Sequence, residues 1–118
     1  MTNWNRKSTR FYSKKQENAV AGILGGKTTP NSGATPYIKG DVSSTGEDSW
    51  LIECKTCMTN KQSFAIKKQW LNDVHQDAIQ QGKMNYALAF NFGPNQENYF
   101  IISERKFKEI LEVENNND

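Results

Sequence analysis

A chain of 118 residues, 36% hydrophobic and 24% charged, is expected to form one globular domain with a core that needs no disulfide or metal staple. Two cysteines exclude a disulfide scaffold, and no stretch is apolar for long enough to cross a membrane, so no membrane partner is expected. The start of the chain has no apolar leader, which makes the cytoplasm the expected compartment (a host cytoplasm, if the small, Asn-rich chain is phage-encoded).

The net charge is only +2, yet it is unevenly spread. Residues 1 to 16 hold Arg6, Lys7, Arg10, Lys14 and Lys15 and no acid, with Trp4, Phe11 and Tyr12 interleaved. A basic arm over residues 1–12 suits a polyanion, its cations meeting phosphates and its rings stacking on bases. A solvated terminus is the competing reading.

A single domain then spans residues 13–113. Ser13 caps a short helix in which Ala19, Val20, Ile23 and Leu24 form the apolar face, Glu17 lies inside, and Gly25-Gly26 is the stop. Residues 27–36, KTTPNSGATP, read as a short strand with a turn or as a loop. Tyr37 to Val42 is a brief strand, SSTGEDS a turn, and Trp50 to Thr56 (WLIECKT) the most strand-like run. Phe64 to Gln81 reads as the longest helix, capped by Ser63, with Ile66, Trp70, Leu71, Val74 and Ala78 at helical spacing and Gly82 as its end. Two strands, Asn85–Phe92 and Asn98–Ser103, flank GPNQE as a hairpin. A last helix, Glu104 to Val113, puts Phe107, Ile110 and Leu111 on one face, and residues 114–118 form an acidic tail expected to be disordered. The order is α-β-β-β-α-β-β-α, an α/β (α+β) mixed sheet with helices packed on it.

Period-two alternation splits the WLIECKT strand into a core face, Trp50, Ile52 and Cys54, and a second face, Leu51, Glu53 and Lys55. The second face carries a carboxylate and an ammonium about 7 Å apart along the strand. Asp41 ends the preceding short strand, and an antiparallel return brings it within reach of Glu53. Two converging carboxylates repel unless a divalent cation lies between them, and hard Mg²⁺ suits such a site. A lysine beside it can orient the attacking water or stabilise the charged phosphorus centre. The competing reading is an edge-strand surface with an ordinary ion pair.

Asp41…Glu53-x-Lys55 resembles the D…(D/E)-x-K signature of the restriction-endonuclease-like, or PD-(D/E)xK, nuclease superfamily. With Glu17 on an early helix, Ser32-Gly33, Gly40-Asp41-Val42 and Ile52-Glu53-Cys54-Lys55, the chain is similar to archaeal and phage Holliday junction resolvases over roughly residues 10 to 112. The resemblance implies a restriction-endonuclease-like core and a homodimeric, Mg²⁺-dependent endonuclease for which Mn²⁺ can substitute. Its substrate would be branched or double-stranded DNA, and its work DNA recombination and repair. Glu17, Asp41 and Glu53 would be metal ligands with the Cys54 carbonyl, Lys55 the catalytic lysine, Ser32 a functional serine on a loop, and Gln69 a helix glutamine lining the site. Arg6, Lys7, Arg10, Lys14, Lys15, Lys67 and Lys68 would contact DNA. The chain departs from the family in having no arginine between Glu17 and Asp41 and in having Gly40 where the signature has proline. Another nuclease of this type (nicking, flap or restriction-like) and a non-catalytic DNA-binding module remain alternatives. Cys54-x-x-Cys57 reads as a buried thiol and an incidental one rather than a zinc or redox motif, His75 as a boundary residue, and Trp70 as core.

Overall fold

The central strand is the one that the alternation marks most clearly. In the computed structural model, which describes residues 9–28 and 42–116, Trp50–Lys55 is a six-residue strand with neighbours on both sides. In chain order the elements are α1 (Thr9–Leu24), β1 (Lys27–Thr28), β2 (Val42–Ser43), β3 (Trp50–Lys55), α2 (Lys68–Gln80), β4 (Asn85–Phe90), β5 (Tyr99–Ile101) and α3 (Glu104–Asn116). The sheet runs β1-β2-β3-β4-β5. Neighbours are antiparallel except β3 and β4, which are parallel in the register Trp50↔Asn85 to Lys55↔Phe90. A parallel pair needs a crossover, and α2 supplies it.

Because β3 and β4 lie inside the sheet, both of their faces find cover. On one side Val20 of α1 packs with Val42, Ile52, Ala87 and Ala89, joined at its margin by Trp50 and Cys54. On the other, Val74 and Ala78 of α2 pack on Leu51 beside Tyr86. The small side chains Ala87 and Ala89 leave room for α1 to approach. The fully buried Leu51, Leu88, Val20, Val42 and Val74 each contribute about 1.5–3 kcal/mol of apolar transfer energy. No helix among the described residues is long and apolar enough to cross a membrane.

Several boundaries differ from the sequence expectations. The first helix starts at Thr9, so Ser13 is inside it rather than at its cap, and residues 9–12 of the expected arm are helical. No proline or glycine interrupts Thr9 to Ala21, and nothing local stops the helix earlier. At its far end Gly25 takes φ 66° and the Gly26 N–H reaches the Ala21 carbonyl at 3.0 Å, the expected glycine stop. The helix expected from Phe64 begins only at Lys68, and Ser63 is not its cap. The ring of Phe64 instead lies 5.4 Å from Phe90 and 6.2 Å from Trp70, so aromatic packing over the end of β4 outweighs helix propensity there. That leaves α1, with 16 residues against 13, as the longest helix.

The hairpin expectation agrees with β4 and β5, whose register is Leu88↔Ile101. Residues 37–41 of the expected second strand lie outside the described residues; Val42 is in β2, which continues to Ser43, a residue expected in the turn. The last helix runs on to Asn116, through residues expected to be disordered, since no glycine or proline interrupts it there. It also does not lay its apolar face on the sheet: Phe107 is 54% exposed and Ile110 and Leu111 are each 42% exposed.

Candidate active site

The face shared by Leu51, Glu53 and Lys55 changes character along its length. Leu51 is buried under α2, whereas Glu53 and Lys55 lie where that helix begins. The Lys55 ammonium is 3.4 Å from the Glu53 carboxylate, and the two side chains are only 30% and 22% exposed. Since β3 is the middle strand of five, the edge-strand reading of this pair does not hold. Lys55 is held from above as well, its Nζ 4.6 Å from the centre of the Trp70 ring. Lys67 approaches the same ring at 5.8 Å, so two cations converge on one indole.

Trp70 belongs to a chain of rings that continues through Phe64, Phe90, Phe92 and Tyr99. Together they wall the end of the sheet where parallel strands β3 and β4 finish, the end at which open α/β sheets place ligands. The first turn of α2 contains no acid, and Lys67 and Lys68 sit at its positive dipole end. This end of the molecule therefore favours anions.

From the other side of the sheet α1 is tied to the same end. Gln16 is 4% exposed, and its Nε2 donates to the Lys55 carbonyl at 2.8 Å and to Asn98 Oδ1 at 3.2 Å. Glu17, the next residue, is 3% exposed, so it is a buried helix glutamate and not a solvated one. Asn91 completes the polar lattice, accepting from Thr56 Oγ1 at 2.7 Å and donating to Asn98 at 3.0 Å. Arg10, Lys14 and Lys15 are exposed on α1, and Lys15 donates to Asn95 in the β4–β5 connection.

Of the predicted residues, Glu53 and Lys55 are therefore brought together, and Lys67 joins them through Trp70. Gln69 is not: it is exposed and donates to Asp73 Oδ1 of its own helix at 2.7 Å. Lys68 is exposed at the start of α2. Asp41, Ser32, Arg6 and Lys7 lie outside the described residues. Among the described residues no three His, Cys, Asp or Glu side chains gather into a group able to hold a metal ion. The Cys54 side chain packs, partly buried, against the α1-side core, and Cys54 and Cys57 form no disulfide. His75 is exposed and stacks on Tyr86 with ring centres 4.3 Å apart.

Two contributors were not singled out by sequence reasoning. Trp70 looked like core, and its contact with Lys55 leaves no trace in helical spacing. Gln16 did carry a signal: with Glu17 it falls on the stripe of Val20 and Leu24, so two polar residues were due to be buried.

The fold and site define an α+β protein with an acid-x-lysine pair on the middle strand of a mixed sheet, at a cationic end lined by aromatic rings. Comparison with protein-family models, curated proteins and solved structures returns no match for this chain.

Proposed function

We propose that this protein is a Mg²⁺-dependent endonuclease of restriction-endonuclease-like architecture that resolves four-way DNA junctions by paired nicks. The observation that carries the reading is the Glu53–Lys55 pair, 3.4 Å apart on a central strand, at the end of the sheet where Lys67, Lys68 and the basic face of α1 collect. A partly exposed pair contributes about 0–1 kcal/mol to stability, too little to account for charge on the middle strand of a sheet.

Asp41 is bonded to Val42, whose antiparallel partner is Ile52, and Glu53 follows Ile52. One more step of that ladder would set Asp41 opposite Glu53. With Glu17 and the Cys54 carbonyl, these are hard oxygen donors of the type Mg²⁺ or Mn²⁺ takes. Bound there, the metal would supply charge neutralisation at the phosphate and activation of water. Lys55, oriented by Glu53 and the Trp70 ring, would align the attacking water and offset charge building on the phosphate oxygens. Arg10, Lys14, Lys15, Lys67 and Lys68 would hold the backbone, with recognition by shape more than by base sequence. One site per chain and two opposed nicks call for a two-fold homodimer.

The test compares a synthetic four-way junction, linear duplex, a flap and single-stranded DNA, each with Mg²⁺ or with EDTA. Symmetric nicks at the junction that vanish with EDTA are expected. Equal cutting of linear duplex would replace the junction reading with a general nuclease, nicking at flaps alone with a flap enzyme, and binding with no cutting under any metal with a non-catalytic DNA-binding module.

A further inference from the structure

Between α1 and the β4–β5 connection lies a cavity of about 90 Å³, on the opposite face of the sheet from the Glu53 and Lys55 side chains. Five side-chain amides line it, those of Gln16, Asn91, Asn95, Gln96 and Asn98, beside Tyr12 and Lys15. The deepest of them have settled orientations. Gln16 donates from Nε2 to the Lys55 carbonyl at 2.8 Å, to Asn98 Oδ1 at 3.2 Å and to the Ala89 carbonyl at 3.5 Å. Asn98 Oδ1 also accepts from Asn91 Nδ2 at 3.0 Å, so two donors fix which end of the Asn98 amide is oxygen. The Asn98 Nδ2 donates to nothing among the described residues. Gln16 is 4% exposed, and its Oε1 is buried and accepts no hydrogen bond. A buried amide oxygen without a donor destabilises a fold, and an apolar side chain at that position would avoid the loss. The wall of the cavity is therefore a fixed set of amides with an acceptor and a donor unanswered.

We propose that this cavity takes one unstacked nucleobase of a bound DNA strand. The edge of a base carries donors and acceptors side by side, the pattern that amide ends match. A phosphate offers acceptors alone and leaves the Gln16 oxygen unanswered, and an apolar ring answers neither group. Pockets for drug-sized ligands run to about 300–1,000 Å³, so this smaller one suits a single planar ring and excludes a base pair. Its place in the molecule supplies the strand. Lys15 lines both this cavity and the adjoining hollow of Arg10, Phe11, Lys14 and Asn18. A strand whose phosphates meet that basic face has a base at the mouth of the cavity.

The inference rests on the reading of this chain as a DNA-binding protein, but its first test uses no DNA. Side-chain amide signals of the full chain are followed by NMR as each deoxynucleoside is added, with deoxyribose as the control. Those of Asn91 and Asn98 should move and saturate with at least one nucleoside and stay still with the sugar. Asn98→Asp keeps the oxygen that accepts from Gln16 and Asn91 and loses the donor nitrogen, so nucleoside affinity should fall about tenfold with little change in melting temperature. Asn95→Gly removes a second amide at a backbone φ of 62°, which glycine adopts without strain, and should weaken binding a few-fold. With DNA in EDTA, a duplex carrying one unpaired nucleotide should bind about tenfold more tightly than the same duplex with an abasic site there, and Asn98→Asp should erase the difference. Nucleosides that leave the amide signals in place would mean a cavity filled by water alone. That result, or an abasic site bound as tightly as the unpaired base, would overturn the inference and leave cleavage at Lys55 untouched. A junction that is bound but never cut, with nucleosides still seated, would instead remove the nuclease and keep the cavity.

Discussion

At the scale of single residues, the geometry around Lys55 separates anchoring from chemistry. Glu53 lies beside its ammonium at 3.4 Å and the Trp70 ring lies 4.6 Å away, so its position is fixed from two directions. Lys55→Ala is expected to abolish cleavage while leaving junction affinity within a few-fold, read by gel-shift and single-turnover cutting on the same preparation; undiminished cutting would remove Lys55 from the mechanism. Trp70→Leu should lower the cleavage rate about tenfold, the equivalent of roughly 1.4 kcal/mol and within the range of a partly desolvated cation–π contact. Trp70→Phe keeps a ring and should recover most of that rate, an outcome that loss of packing alone would not give. The Glu53 and Lys55 pairing was legible in the sequence because strand alternation is a rigid rule. The part of Trp70 was not, because helical spacing marks which residues face a sheet and says nothing of which side chain on that sheet they meet.

At the scale of elements, the sequence carried the type of every element but the first strand, which it left open between strand and loop, and it missed where the first two helices begin. Both errors have the same origin, for a cap residue such as Ser13 or Ser63 is only an opportunity. Continuous helix-forming residues overran the first, and the burial of Phe64 against Phe90 overruled the second. The segment that Phe64 closes is fixed by Gly93, where φ is 144° and an added Cβ would lie 2.7 Å from Asn60 Cα and 2.9 Å from the Thr59 carbonyl oxygen. The Lys61 N–H meets the Phe92 carbonyl at 2.7 Å in the same place. Gly93→Ala therefore combines backbone strain with a clash against backbone that has no side-chain freedom to yield. A loss of about 2 kcal/mol is expected, lowering the melting temperature by roughly 8 °C. Thermal unfolding followed by circular dichroism measures it, and a shift below a degree or two would mean that residues 59–60 move aside freely. No sequence rule singled out Gly93 from the other turn residues of GPNQE, since the close approach comes from a segment more than thirty positions earlier.

At the scale of the whole molecule, a net charge of +2 conceals a strongly one-sided arrangement. Gln16 ties α1 to the carbonyl of Lys55, which brings the helix bearing Arg10, Lys14 and Lys15 to the end of the sheet that α2 approaches with Lys67 and Lys68. Arg10 and Lys14 are four residues apart on one helix, a spacing at which like charges cost a few tenths of a kcal/mol. A fold has no use for that repulsion, whereas a polyanion removes it. If these side chains meet phosphates, each releases close to one counterion, and affinity falls with salt in proportion to their number. Replacing both with glutamine is expected to flatten the plot of log affinity against log salt by about 2 and to weaken binding to junction and linear duplex alike. The melting temperature should stay the same or rise slightly, because both side chains are exposed and their mutual repulsion is gone. An unchanged salt slope with the fold intact would show that the nucleic acid approaches from elsewhere, and would leave the basic face of α1 as ordinary solvated surface.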